Sequence, residues 1–147
     1  MIAIDFSDIQ LKLSKPDSKT NVFDPVRKKW LVLTPEEHIR QYMIQHLIQV
    51  MNYPVALLSV EKTITVGRLK KRFDIVVYSR SHLPWMLVEC KAPEVPITEQ
   101  TLRQLLNYQG TVQSDFWLLT NGHQTFCADA RDKNEIKWLN SLPAYQL

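Results

Sequence analysis

The sequence predicts an α+β (α/β) fold in which a mixed β-sheet is flanked by helices. The first observation behind this is the order of periodicities: after an extended N-terminal stretch comes a helix, then three strands, a second helix and further strands. The second is a pair of helix starts, Thr34-Pro35-Glu36-Glu37 and Pro96-Ile97-Thr98-Glu99, each followed by apolar residues at three- and four-residue spacing. The third is size. With 147 residues, 45% of them hydrophobic, the chain is expected to form one domain with its own core rather than a disordered segment. Within that domain the expected parts are an N-terminal β extension over 1–33, a core over 34–130 and a C-terminal tail over 131–147.

Each element has its own signal. Ile9–Leu13 and Trp30–Leu33 read as extended segments, with a turn at Lys15–Lys19 between them. At the first helix Thr34 is the expected cap, Pro35 suits the first turn, and Glu37 stands where a capping box places its acid. That helix is expected to run to about Met51, with Ile39, Met43, Leu47 and Val50 on its buried stripe. Val55–Val66, Phe73–Tyr78 and Trp85–Cys90 read as three strands of an antiparallel meander, with Gly67–Arg72 and Ser79–Pro84 between them. The second helix is expected to reach about Val112. Strands Phe116–Thr120 and His123–Ala128 follow around a turn at Asn121-Gly122, and Glu135–Leu139 reads as a further strand.

Composition bounds the function. No apolar run approaches the ~18 residues that span a bilayer, and no basic segment leads a long apolar one at the N-terminus, so a cytoplasmic location is expected. Cys90 and Cys127 are too few for a disulfide framework and read as buried free thiols. The four histidines are scattered, none at metal-ligand spacing with another His or Cys. A net charge of +3 is too small to establish a polyanionic partner, so the placement of the positive charge matters more than its total.

Three charges stand in costly places. Asp74 interrupts the apolar strand Phe73-Asp74-Ile75-Val76-Val77, and Glu89 and Lys91 sit at the end of Leu87-Val88-Glu89-Cys90-Lys91. Alternation puts Glu89 and Lys91 on one face of their strand, and Asp74 joins that face if the two strands pair. Two converging carboxylates repel unless a cation lies between them. Hard oxygen donors suit Mg²⁺ (or Mn²⁺), which activates water and neutralises charge on a phosphoryl group, while Lys91 orients or deprotonates the water or contacts the phosphate. Phosphodiester hydrolysis is the chemistry expected. The competing reading makes Asp74 and Glu89 strand-end acids in ordinary ion pairs with Arg72 and Lys91.

Asp74, a 14-residue gap and then Glu89-Cys90-Lys91 resembles the PD-(D/E)xK nuclease signature, with Phe73 in place of its proline. More specifically, Thr34–Gln41, Arg72–Val76, Leu87–Pro93 and Gln104–Tyr108, in that order, resemble the N-terminal nuclease domain of type I restriction enzyme motor subunits over roughly residues 20–130. The resemblance implies a restriction-endonuclease-like core and Mg²⁺-dependent cleavage of DNA, with Asp74, Glu89 and Lys91 in the catalytic positions. It also implies a first-helix glutamate as a further metal ligand, Glu37 or Glu36, although an acid there equally serves the helix terminus. Gln104 and Tyr108 match a Gln-x-x-x-Tyr element, and helical spacing independently projects both away from the apolar stripe of Leu102, Leu105, Leu106 and Val112. In the family such residues hold DNA or support the lysine.

The sequence given ends at Leu147 with no Gly-x-x-x-x-Gly-Lys-Ser/Thr phosphate loop, so translocation is not carried over, and the expected partners are DNA, a second copy in a homodimer, or separate helicase and specificity chains. Arg68, Lys70, Lys71 and Arg72 concentrate positive charge in what reads as a turn before Asp74, a candidate phosphate contact. Arg27-Lys28-Lys29 is a second basic run with nothing nearby in sequence to tie it to a site. The alternatives to a nuclease are a catalytically silent DNA-binding or assembly module of a restriction or repair complex, and a structural interaction domain.

Overall fold

The computed structural model describes residues 1–109 and 111–145. A six-stranded mixed sheet has the strand order β4-β5-β6-β7-β8-β9, and a separate three-stranded antiparallel sheet is formed by β1-β2-β3. The strands of the small sheet are β1 (Leu13–Ser14), β2 (Asn21–Asp24) and β3 (Lys29–Val32). Those of the large sheet are β4 (Leu58–Val66), β5 (Leu69–Tyr78), β6 (Pro84–Cys90), β7 (Phe116–Thr120), β8 (Thr125–Asp129) and β9 (Lys137–Trp138). The mixed sheet flanked by helices that the sequence predicts is the fold observed. Among the described residues no helix is long and apolar enough to cross a membrane.

Helix α1 (Pro35–Gln45) starts as its sequence dictates: the Thr34 hydroxyl accepts a hydrogen bond from the Glu37 N–H at 3.1 Å. The expected run to Met51 is continued as a π-helical turn, His46–Val50, ended by Asn52 with φ 57°. Ile39, Met43, Ile44 and Leu47 cover one face of the large sheet, packing on Ile75, Val77, Met86, Val88 and Leu118. Helix α2 (Glu99–Gln109) covers the other face, where Leu102 packs with Phe73, Val76, Leu87, Trp117 and Leu119. It stops short of Val112, which is nevertheless buried in the same cluster. Both cysteines are buried and free, as expected. Two layers of helix around one sheet follow from strands such as Phe116–Thr120, in which every residue is buried.

The connections follow the chemistry of the turns. Strands β4, β5 and β6 form the expected meander, and β6 then pairs in parallel with β7 through the α2 crossover. The segment Gly67–Arg72, read from sequence as a turn, is corrected: only Gly67 and Arg68 form the turn, because Val66 pairs with Leu69. Gly67 takes φ 60° at the first central position, where a two-residue hairpin loop of type II′ needs glycine. The basic residues from Lys70 onward are thus strand residues, and Thr63-Ile64-Thr65-Val66 opposite them carries the alternation that marks a ribbon. At the other end Val55–Leu57 is a 3-10 turn before β4. In the small sheet, β2 is a strand the sequence reading lacked.

The β7–β8 turn presses on α1. Gly122 has φ 88°, and a β-carbon there would lie 2.6 Å from Ile39 Cδ1. Gly122→Ala should therefore lower stability by about 1–2 kcal/mol, a fall of roughly 3–8 °C in thermal melting. Gly67→Ala, with nothing within 4 Å of the added carbon, should cost only the backbone term of about 1 kcal/mol.

Candidate active site

The site forms where β5 and β6 part. Their last paired residues are Ile75 and Val88, and the next step of that register sets Asp74 opposite Glu89. The ladder is not continued there. Instead the Cys90 N–H donates to Asp74 Oδ2 at 2.7 Å, so a side-chain carboxylate takes up a backbone donor at the fork. The other oxygen, Oδ1, accepts from Arg40 Nη2 at 2.7 Å and Nε at 3.2 Å. Asp74 is thus held at both oxygens.

The outer half of the β4–β5 ribbon is out of phase with the inner half. Phe73 belongs to the core under α2 and Ile75 to the core under α1, whereas strict alternation would put them on the same face. In the partner strand Val60 packs with the α1 side and Ile64 with the α2 side, the same slip. Between them Glu61 adopts φ 51° in the middle of a strand, and the pairing skips from Val60–Ile75 to Lys62–Phe73. The left-handed residue therefore lies opposite Asp74. Its carboxylate reaches Arg72 at 2.9 Å, Arg27 at 3.3 Å and Arg40 at 3.5 Å. Sequence reasoning missed Glu61, which lies among polar strand residues like any solvent-facing acid.

Two arginines also escaped it. Arg40 is buried, and it bridges Asp74 to Glu37 at 2.9 Å and to Glu36 at 3.4 Å. Burial works against its charge, but Asp74 first, then Glu37 and Glu61, outweigh this and hold its pKa above the ordinary arginine value. Arg27, in the turn between β2 and β3, places Nη2 2.9 and 3.0 Å from the two oxygens of Glu37. The basic run that had no partner nearby in sequence is tied to the site by the fold. Asp24, fully buried, fixes Arg27 through Nε at 2.7 Å and accepts from Gln41 Nε2 at 2.9 Å. Burial pushes the Asp24 carboxyl up, but the backbone and side-chain donors of Arg27, together with Gln41, hold it below its ordinary value.

Of the residues singled out from sequence, Asp74 and Glu89 meet. Glu89 is partly buried with the Asp74 carboxylate within hydrogen-bonding reach. Lys91 stands two residues on, just past β6, its N–H donating to Thr120 O at 2.8 Å, so the stem of its side chain leaves from the anchored end of that strand. The loop after it is tethered by Asn121 Nδ2, which donates to Val95 O at 2.8 Å. Glu37 is occupied by Arg27, Arg40 and Gln41, and Glu36 is half-exposed beside Arg40. Gln104 and Tyr108 stand on the exposed face of α2, and Lys71 Nζ lies 4.3 Å from the centre of the Tyr108 ring. Arg72 turns to Glu61 and Lys71 to Tyr108, so the basic residues of the ribbon divide between its two faces. The ion pair between Asp74 and Arg72 that the competing reading gave is not formed. Asp74 pairs with Arg40.

The donor chemistry fits a small hard cation held by two carboxylates and water, the common Mg²⁺ arrangement. Among the described residues no group of three or more His, Cys, Asp or Glu is arranged to hold a metal ion, so the fit rests on Asp74 and Glu89 alone. Burial, and then the Asp74 carboxylate beside it, push the Glu89 carboxyl from 4.5 up to about 8, with Lys91 pulling in the opposite direction. A carboxyl raised in this way keeps its proton above the range in which a solvated glutamate loses it. The folded protein then binds a proton that the unfolded chain has lost between about pH 4.5 and 8. In metal-free buffer the stability this group contributes should be complete below pH 4.5 and decline as pH rises through 8. Urea titrations across that range should show the decline in the native protein and a flatter profile in Glu89→Gln.

A comparison with curated proteins finds no match. A family model described as type I restriction enzyme R protein N terminus (HSDR_N) matches residues 35–143. The matched region opens on the first residue of α1 and runs beyond β9. It contains Glu37, Arg40, Asp74, Glu89 and Lys91, and it leaves the three-stranded sheet, with Asp24 and Arg27, outside. The chain therefore belongs to the type I restriction enzyme R protein N-terminal family, whose domain is of the general PD-(D/E)xK nuclease kind.

Proposed function

We propose that the domain is a metal-dependent DNA endonuclease that hydrolyses phosphodiester bonds. The observation that carries this reading is the meeting of Asp74 and Glu89 at the fork of β5 and β6, two carboxylates whose repulsion a divalent cation would relieve. Mg²⁺ or Mn²⁺ bound there supplies an activated water and offsets the charge that develops on phosphorus. The remaining work belongs to the chain. Asp74 presents a fixed carboxylate, since Arg40 and the Cys90 N–H leave it little freedom to rotate. Glu89 would hold the cation as a carboxylate, opposite the fixed Asp74. Lys91, at the anchored exit of β6, orients the attacking water or contacts the phosphate.

Substrate is placed by the ribbon and α2. Arg68 and Lys70 are exposed on the hairpin, and Lys71 and Tyr108 form a cationic and aromatic contact beside it, a surface suited to a DNA backbone. Gln104, one helical turn before Tyr108, adds an amide donor to the same face. Membership of a restriction-enzyme family supports DNA as the partner, with a second copy or separate helicase and specificity chains as further partners.

One observation favours a second reading. Asp74 already has a cation in Arg40, as it would in a catalytically silent DNA-binding or assembly module. Nicking of supercoiled plasmid with Mg²⁺ or Mn²⁺ separates the two. The endonuclease should nick, and Asp74→Ala and Lys91→Ala should each lower the rate by about 100-fold or more. A silent wild type that still binds DNA would leave the module. In either case Lys70→Ala should reduce the dependence of log affinity on log salt by about one unit, measured by fluorescence anisotropy at several salt concentrations.

A further inference from the structure

The site includes an alternating row of charges that begins in the three-stranded sheet: Asp24, Arg27, Glu37, Arg40, Asp74. Each link is short, at 2.7 Å, 2.9 Å, 2.9 Å and 2.7 Å in turn. Asp24, Glu37, Arg40 and Asp74 are all buried, and Arg27 is 13% exposed at its side chain. Buried charges persist only where each is matched, and loss of one member leaves its neighbours uncompensated. Both oxygens of Glu37 are taken: Oε1 accepts from Arg27 and Arg40, and Oε2 from Arg27 and Gln41. The carboxamide of Gln41 has only one workable orientation, because both of its partners, Asp24 and Glu37, are acceptors.

We propose that Arg27, Glu37 and Arg40 form a positioning relay that fixes the Asp74 carboxylate, and that the three-stranded sheet outside residues 35–143 is thereby part of the site. Glu37 acts behind the metal position, holding Arg40, rather than on the cation. Arg40 in turn holds Oδ1 of Asp74 while the Cys90 N–H holds Oδ2, so the lone pairs left free have a set direction. Hydrogen-bonded carboxylates behind metal ligands ordinarily contribute 10- to 100-fold in metal affinity. Arg27 is a positioning residue, acting through two side chains on a third. The metal arm of this inference rests on the endonuclease reading, whereas the orientation of Asp74 does not.

The Cys90 amide supplies a readout that needs neither metal nor substrate. In the intact domain, Arg27→Ala should shift the Cys90 amide resonance and speed its hydrogen exchange by about tenfold. The Trp117 amide, in the core under α2, should stay where it is. Titration with Mn²⁺ alone should show affinity about tenfold weaker than wild type. Lys29→Ala, exposed in the same hairpin, should leave all three unchanged. Arg27→Lys should restore only part of the effect, because an ammonium cannot make the two-pronged contact with Glu37. If the Cys90 amide responds while wild type takes up no Mn²⁺, the relay stands and the endonuclease reading falls. If Arg27→Ala folds and the Cys90 amide is unmoved, the relay is wrong whatever the Mn²⁺ result. Should Arg27→Ala not fold, Glu37→Gln keeps the shape, removes the charge, and carries the same expectation and the same refutation.

Discussion

Arg27 and Arg40 hold five carboxylates, from Asp24, Glu36, Glu37, Glu61 and Asp74, at one end of the large sheet, beside an apolar core. Removing charges from water costs several kcal/mol each, and only close pairing offsets that. The constraint reaches far beyond the pairs themselves. It sets where the N-terminus of α1 must lie, because Glu37 and Arg40 project from its first turns. It also sets where the small sheet docks, because Asp24 and Arg27 project from β2 and its following turn. Glu89, beside Asp74, is paired with no arginine among the described residues, and burial together with that neighbour pushes its carboxyl up.

Seen this way, the two cores have different tasks. The cluster under α1 supports the charged end: Ile39 packs in it one residue before Arg40, and Gly122 gives the β7–β8 turn room to close on Ile39. The cluster under α2 supports the exposed face of that helix and, through Phe73, the base of the ribbon. Parallel pairing of β6 with β7 brings both tasks together. It carries the chain from Lys91 across the sheet through α2, so the lysine and the Gln104–Tyr108 face belong to one connection.

What could be read in the sequence was what depends on near neighbours. Thr34 announced α1 because a cap acts within three residues, and Asp74 and Glu89 stood out because charges are rare in apolar strands. Arg40 was hidden. On a helix it looks like the surface partner of Glu36 and Glu37, whereas the contact that defines it is with Asp74, 34 positions away. Arg27 was hidden for the same reason, inside a run of three basic residues. The extent of β5 was legible, since a glycine in a two-residue loop between alternating segments is a hairpin signal, although the run of positive charge from Arg68 to Arg72 has the composition of a turn. The phase slip at Glu61 had no local mark, for glutamate has no preference for left-handed backbone.

That slip has a mechanical side. A two-stranded ribbon resists bending through its ladder, and this ladder is interrupted between Val60–Ile75 and Lys62–Phe73. Bending is therefore concentrated at one point, level with Asp74. On the inner side the strands are clamped between two helices, and on the outer side lies a mostly exposed arm ending at Gly67 and Arg68. The arm is tied at its base, where Glu61 pairs with Arg72 and Arg40, and along its length, where Lys71 lies over Tyr108, while Asp74 is held from behind by Arg40. An interrupted ladder and a carboxylate fixed at both oxygens thus meet within a single pair of opposed residues.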